Sequence, residues 1–227
     1  NGTALIIIGS GNTFSNITMN ITTANTYGMP MFYANDNTLN NISLYGAWYT
    51  ALALHYSDNN TFNNLDISEA DGRLQVSGTS QDNTINYFTM NTADRGLYIT
   101  STATNTTLRN AILNVAEEYV YFDSGLANDV YFYNVTLNDT MRLKYNGGAT
   151  GTIDVYEYVD VNITNSTGSM LSGATITASD KDTTQQDSTT SSDNQLSRMT
   201  VLTKNYADTG NTTYNNYTVA ASLVNYK

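Results

Sequence analysis

Apolar residues return along the first two thirds of the chain in a frame of 23 to 25 positions. The stretch Asn12-Thr-Phe-Ser-Asn16-Ile-Thr-Met19 recurs as Asn37-Thr-Leu-Asn-Asn41-Ile-Ser-Leu44 and as Asn60-Thr-Phe-Asn-Asn64-Leu-Asp-Ile67. Weaker copies begin at Asn83, Thr106 and Val130. The fifth residue of each copy falls at 16, 41, 64, 87, 110 and 134. Three columns are apolar in all six copies: Phe14/Leu39/Phe62/Ile85/Leu108/Phe132, Ile17/Ile42/Leu65/Phe88/Ala111/Val135 and Met19/Leu44/Ile67/Met90/Leu113/Leu137. The last two columns are two residues apart, the period of a strand, while the first two are three apart, so the chain must bend between them. A second apolar stretch separates the copies, at Leu52/Leu54, Leu74/Val76, Leu97/Ile99, Val120/Phe122 and Leu143/Tyr145. Each unit is thus about three short strands joined by bends.

One such unit cannot bury its own apolar side. Stacking units at the strand spacing of about 4.8 Å does so and pairs every backbone strand. The pattern predicts an all-β chain whose residues 1–146 form a right-handed parallel β-helix of about six coils, roughly 30 Å long. The bend column Asn16/Asn41/Asn64/Asn110/Asn134 suits the left-handed αL conformation. Stacked amides, each donor and acceptor, are expected to form a buried hydrogen-bonded ladder, interrupted where Tyr87 replaces Asn. The Asn-Thr-Ile-x-Asn-Asn type of copy resembles the β-helix repeats of periplasmic copper-processing proteins and archaeal cell-surface proteins. That resemblance implies a fold rather than an activity.

The frame fails after Leu143. Residues 147–152 read as a turn-rich linker, and 153–227 as a small β-sandwich. Its expected strands are Ile153–Ile163, Ala174–Ala178, Met199–Leu202 and Tyr217–Leu223, with polar 180–198 as a long loop or hairpin. Val161-Asn-Ile-Thr-Asn-Ser-Thr-Gly-Ser-Met-Leu-Ser-Gly-Ala-Thr-Ile-Thr-Ala178 resembles the opening of carboxypeptidase-regulatory or transthyretin-like sandwiches, with Met170 where that family often has Pro. The resemblance implies a non-catalytic spacer, of the kind that follows a β-helix in archaeal surface proteins.

Composition narrows the function. Asn and Thr fill 67 of 227 positions, and the net charge is −11 with no basic stripe, which argues against a nucleic-acid partner. No run approaches the ~18 apolar residues of a membrane span. The absence of Cys excludes disulfides and thiolate metal sites, and a single His excludes a multi-His zinc site. Asn1 is not an initiator Met and no signal peptide precedes it, so the chain reads as the processed part of something longer.

Twelve Asn-x-Ser/Thr sequons occur. Those at Asn16, Asn41 and Asn134 fall in the ladder and are expected to be buried. Outward placement is expected for Asn20, Asn59, Asn105, Asn138, Asn162, Asn165, Asn211 and Asn216, the candidate N-glycan carriers. Asp71, Asp94 and Glu117 fall at one frame position in consecutive coils, beside Arg73 and Arg95. The column reads as a solvated corner softened by the two arginines, with Ca²⁺ as the candidate cofactor and acid–base catalysis as a third reading. His55 reads as a lone turn histidine. Tyr119, Tyr121, Tyr131 and Tyr133 are expected outside two strands, as an exposed contact strip.

The expectation is an extracellular, cell-surface structural protein without enzymatic activity: a glycosylated protomer that self-associates into a layer, sheath or filament, or a segment of an adhesin. Other surface proteins or glycans are candidate partners. The alternative is a polysaccharide-active enzyme or glycan-binding module using the face of Asp71, Asp94 and Glu117.

Overall fold

The computed structural model describes residues 5–21, 27–46, 49–70, 72–92, 94–124, 128–192, 195–214 and 216–223. Nineteen strands and no helix occur among them. In order they are β1 (Ile7–Ile8), β2 (Thr13–Ile21), β3 (Tyr27–Phe32), β4 (Thr38–Gly46), β5 (Thr50–His55), β6 (Thr61–Ala70), β7 (Arg73–Ser77), β8 (Thr84–Thr92), β9 (Leu97–Thr100), β10 (Thr106–Val115), β11 (Val120–Asp123), β12 (Asn128–Leu137) and β13 (Leu143–Asn146). Then follow β14 (Gly151–Val161), β15 (Thr175–Ser179), β16 (Gln185–Thr190), β17 (Ser197–Ala207), β18 (Gly210–Thr213) and β19 (Thr218–Ser222).

The first compact unit comprises Asn1–Ile153 with Ala207–Gly210. Its odd strands stack in the order β1-β3-β5-β7-β9-β11-β13, and the even ones from β2 to β12 form a second sheet. Both are parallel, with Leu39 beside Phe62, Phe62 beside Ile85 and Leu108 beside Phe132, as the 23- and 24-residue steps require. The apolar columns face inward. Leu39, Ile42, Leu44, Phe62 and Ile67 are fully buried, and Leu52, Leu54, Leu74, Val76 and Phe122 close the core from the odd sheet. Phe14, Ile17 and Met19 in β2, and Val135 and Leu137 in β12, are only half-buried.

Each coil turns at corners held in αL, a region that Asn and Asp tolerate better than other non-Gly residues. One corner column is Asn16, Asn41, Asn64, Tyr87, Asn110 and Asn134, every member at positive φ. A second is Asp36, Asn59, Asp82 and Asn105. The third, Tyr33, Tyr56, Gly78, Ser101 and Ser124, includes a glycine for a steric reason as well: a Cβ on Gly78 would sit 2.8 Å from the Tyr56 ring.

The asparagine at the Asn16 corner behaves in one respect against expectation. Asn16, Asn41, Asn64 and Asn134 are exposed, because the αL bend turns their side chains outward. They still form the ladder, with Asn41 Nδ2 donating to Asn16 Oδ1 (3.0 Å), Asn64 to Asn41 (2.9 Å) and Asn134 to Asn110 (2.9 Å). The buried ladder lies four residues earlier, at Asn37, Asn60 and Asn83. Asn37 donates from both its backbone N–H (3.0 Å) and Nδ2 (3.1 Å) to Asn60 Oδ1, and Asn60 does the same to Asn83 Oδ1 (3.0 and 3.1 Å). Each Nδ2 also reaches back to a carbonyl of the preceding coil: Gly9 (3.0 Å), Ala34 (2.7 Å) and Ser57 (2.8 Å). A third ladder, Asn40–Asn63–Asn86, runs outside at 2.9 and 3.0 Å.

The second unit comprises Asp154–Tyr206 and Asn211–Lys227, so the division falls inside β14. The stretch expected as a linker holds the turn at Gly147 and Gly148, both at positive φ, and the first residues of β14, where Thr152 Oγ1 donates to Asp129 (2.7 Å). In the second unit β15 pairs antiparallel with β16 and β19. Within the polar 180–198 stretch the chain turns at Asp180–Thr184 into β16, and β17 begins at Ser197. Ile176, Ala178, Met199 and Val201 form its core, with Val159, Val161, Ile163 and Tyr217 packed against them.

Buried and exposed ladders carry different energies, because a buried N–H stripped of its acceptor stays desolvated. Asn60→Ala orphans the Asn37 amide and the Ala34 carbonyl, and is expected to cost about 3 kcal/mol or more. Asn63→Ala, on the outer ladder, should cost under about 1 kcal/mol. Urea unfolding of both variants measures the difference, and equal midpoints would show that burial does not set the energy of the ladder.

Candidate functional site

The outer face of the odd sheet gathers most of the charge singled out in the sequence. Gln75, Tyr98, Tyr121 and Lys144 follow one another in register on β7, β9, β11 and β13. Tyr98 and Tyr121 stack with ring centroids 5.2 Å apart. The Arg73 guanidinium lies 3.9 Å from the Tyr98 centroid and 4.6 Å from that of Tyr49. Arg95 and Lys144 approach the Tyr121 ring at 4.5 and 5.2 Å. Arg73 is buried, and its Nε has no hydrogen-bond partner among the described residues. Its charge is held by the faces of two rings, a cation–π arrangement that gains strength as water is excluded.

The acidic groups at this face are tied to the cations. Arg95 Nε donates to Glu118 Oε2 at 3.1 Å, while Glu117 stands 3.9 Å from the same guanidinium and Lys144 3.6 Å from Glu118. Burial opposes the charge on Arg95, but the Glu118 hydrogen bond and the charges of Asp94, Glu118 and Glu117 together raise its pKa. The Tyr98 hydroxyl donates to Asp123, which also accepts from Asn146 (2.7 Å). Those two bonds, with Arg73 and Arg95 nearby, hold the Asp123 carboxyl below its ordinary range, and burial together with Asp123 pushes the Tyr98 phenol up.

Of the acidic column, Asp94 is half-buried and Glu117 exposed, while Asp71 lies outside the described residues. No group of three His, Cys, Asp or Glu side chains among the described residues is arranged to hold a metal ion. Arg95 stands among these carboxylates, close to Asp94, Glu117 and Glu118. Arg73 lies between the Tyr49 and Tyr98 rings.

The tyrosine strip is corrected in half. Tyr119 is fully buried and Tyr121 is 7 % exposed. Tyr119 donates to Asn138 Oδ1, accepts from the Asp139 amide (3.0 Å) and lies under Arg142 (4.6 Å). Tyr121 does project outward from β11, but Tyr98, Arg95 and Lys144 cover it. Tyr131 and Tyr133 are half-exposed, with Arg109 3.9 Å from the Tyr133 centroid. Alternation along a strand gives the side chain's direction; it does not reveal what the neighbouring coils lay over it.

Among the sequons, Asn20, Asn59, Asn138, Asn162, Asn211 and Asn216 are exposed, and Asn105 and Asn165 half-exposed. Asn105 Nδ2 donates to Asp82 (2.9 Å), so that bond must yield before a glycan attaches. Asn165 Oδ1 accepts from the Thr167 and Ser169 amides (both 2.9 Å), bonds in which its Nδ2 takes no part. Asn41 and Asn134 are set apart by their ladder bonds, not by burial.

His55 closes β5 with its ring stacked on Phe32 (centroids 5.0 Å, interplanar 10°) and Nδ1 against Ser77 Oγ. Burial lowers its pKa below the usual 6.5. The unfolded chain therefore binds a proton near pH 6.5 that the folded chain refuses, and the neutral ring's contribution is lost as pH falls below that value. His55→Phe keeps the stack and removes the titration. Between pH 7.5 and 5 the wild-type urea midpoint should fall further than that of the variant; parallel curves would show His55 to be uncoupled from folding.

Comparison with known proteins agrees with the coil geometry. Residues 1–140 match the family described as the right handed beta helix region. No curated protein and no solved structure matches the chain. With more than half of its length inside that match, the chain belongs to the right-handed β-helix family.

Proposed function

We propose that the chain is a structural, non-catalytic part of an extracellular surface protein, N-glycosylated on its exposed sequons, and that it self-associates into a layer, sheath or filament. One observation carries the reading: most of the polar side chains described above bond to a neighbouring coil. Three asparagine ladders and a tyrosine–cation stack run coil to coil, and the carboxylates Glu117, Glu118 and Asp123 face Arg95, Lys144, Tyr98 or Asn146. Catalysis needs polar groups converging on a substrate.

The second unit, with its antiparallel sheet and small core, is read as a spacer resembling the carboxypeptidase-regulatory sandwiches. Extracellular placement fits a family often found outside cells and a chain without Cys. No helix among the described residues is long and apolar enough to cross a membrane.

Electron microscopy and intact mass on one natively purified sample test this reading. Ordered polymers and a mass above the 24.8 kDa of the bare chain, in whole glycan increments, are expected. Discrete particles of unmodified mass would overturn it.

A further inference from the structure

The exposed asparagine column is broken once. Five of its six corners are Asn, and the fourth is Tyr87, at φ 55° with 61 % of its surface exposed. A bulky side chain in αL costs of order 1 kcal/mol, a cost that Tyr33 and Tyr56 also bear at another corner. Tyr87 also breaks the amide ladder. The polarity of that ladder is constant: each Nδ2 donates to the Oδ1 of the preceding coil. At the gap, Asn64 Oδ1 is therefore without its ladder donor and Asn110 Nδ2 without its ladder acceptor. They flank Tyr87 two strand spacings apart, about 9.6 Å.

These three residues line an open groove of about 480 Å³ that follows the bend of the even strands. Thr89, Asp66 and Ile112 add a hydroxyl, a carboxylate and an apolar side chain that is 56 % exposed. Both oxygens of Asp66 are already engaged, by Tyr45 and Ser68 hydroxyls. The groove thus offers one aromatic face with a neutral acceptor on one side of it and a neutral donor on the other, and the Thr89 hydroxyl in the same lining. Nothing in its lining is cationic, and the chain carries a net charge of −11, so an anionic ligand is repelled.

We propose that the groove at Tyr87 binds a pyranose unit of a neutral glycan. The apolar C–H face of the sugar lies on the Tyr87 ring, and its hydroxyls donate to Asn64 Oδ1 and accept from Asn110 Nδ2. A pyranose presents these features together: an apolar face, and equatorial hydroxyls that both donate and accept around its rim. The site is independent of the acidic face and of any assembly, and it needs no metal.

The test uses the full chain with cellohexaose and mannohexaose as neutral probes and trigalacturonate as the anionic one, followed by calorimetry and ligand-observed NMR. Two variants accompany it. Tyr87→Asn restores the repeat and its ladder, so it is expected to fold with a urea midpoint at or above wild type. Tyr87→Phe keeps the ring. The wild type should bind at least one neutral probe with Kd below about 10 mM and trigalacturonate more weakly. Tyr87→Phe should stay within about threefold of wild type, and Tyr87→Asn should lose at least about tenfold. Wild type that binds neither neutral probe, a Tyr87→Asn variant that binds as wild type, or tighter binding of trigalacturonate would each overturn the proposal.

Discussion

Every coil must bend sharply several times in about two dozen residues while its backbone stays buried against the next coil. That constraint governs the solenoid. Bends in αL end the regular strand hydrogen bonding, and an amide left unpaired in the interior costs about 1–3 kcal/mol. The buried asparagines resolve it: Asn37, Asn60 and Asn83 each supply an acceptor to the backbone N–H one coil back and a donor to a carbonyl that the bend has freed. Ser57 and Ser80 do the same with hydroxyls one corner away, where Ala34 N–H reaches Ser57 Oγ (3.2 Å) and Ser57 N–H reaches Ser80 Oγ (2.9 Å). Each ladder member depends on the coil beyond it, so stability is shared between neighbours along the axis.

The fold was legible in the sequence because a column that repeats six times averages away the ambiguity of any one strand. Leu39, Phe62, Ile85 and Leu108 all proved fully buried, and Asn16, Asn41, Asn64, Asn110 and Asn134 all took the αL corner assigned to them. What the pattern could not separate was which of three asparagines per copy faces inward. Asn37, Asn40 and Asn41 are chemically identical, and only the side chain's direction from the backbone distinguishes a buried ladder from two exposed ones. The available signal was the invariant Asn-Thr opening of four consecutive copies, at Asn12, Asn37, Asn60 and Asn83: a polar residue that never varies beside an apolar column that does is under stricter demand.

The charged face was less legible, for a related reason. Alternation placed Tyr121 outward, and it is outward, yet 7 % exposed. Its covering comes from Tyr98 in the preceding coil, Lys144 in the next and Arg95 across the turn, at separations of 23, 23 and 26 residues. Tyr119 fell outside the alternation altogether because it precedes β11, at a turn whose closeness is set by Gly96: a Cβ there would meet Tyr119 O at 2.6 Å. The acidic column suffered likewise. Frame position alone put Asp94 and Glu117 in line, but ion pairing through Arg95 depends on which way a long side chain folds back.

In a repeat whose columns carry the structure, departures from a column are where structure has been given up, and here, apart from Ser15, they begin at Tyr87 and continue through the later copies. Tyr87 interrupts the outer αL ladder. Thr106 ends the buried one, and its Oγ1 finds no partner where Asn would have found three or four. Arg109 ends the Asn40–Asn63–Asn86 ladder and lies against Tyr133 instead. Asn128, fully buried one coil later and two residues out of frame, takes up the broken role, with its amide turned to donate to Ala103 O (2.6 Å) and Ser101 O (3.1 Å). Val130 and Tyr133 depart from the same columns one copy later, so from Tyr87 onward these three columns carry fewer coil-to-coil amide bonds than in the earlier copies. The same stretch carries an exposed aromatic ring on a groove, a combination that the intact ladder would have excluded.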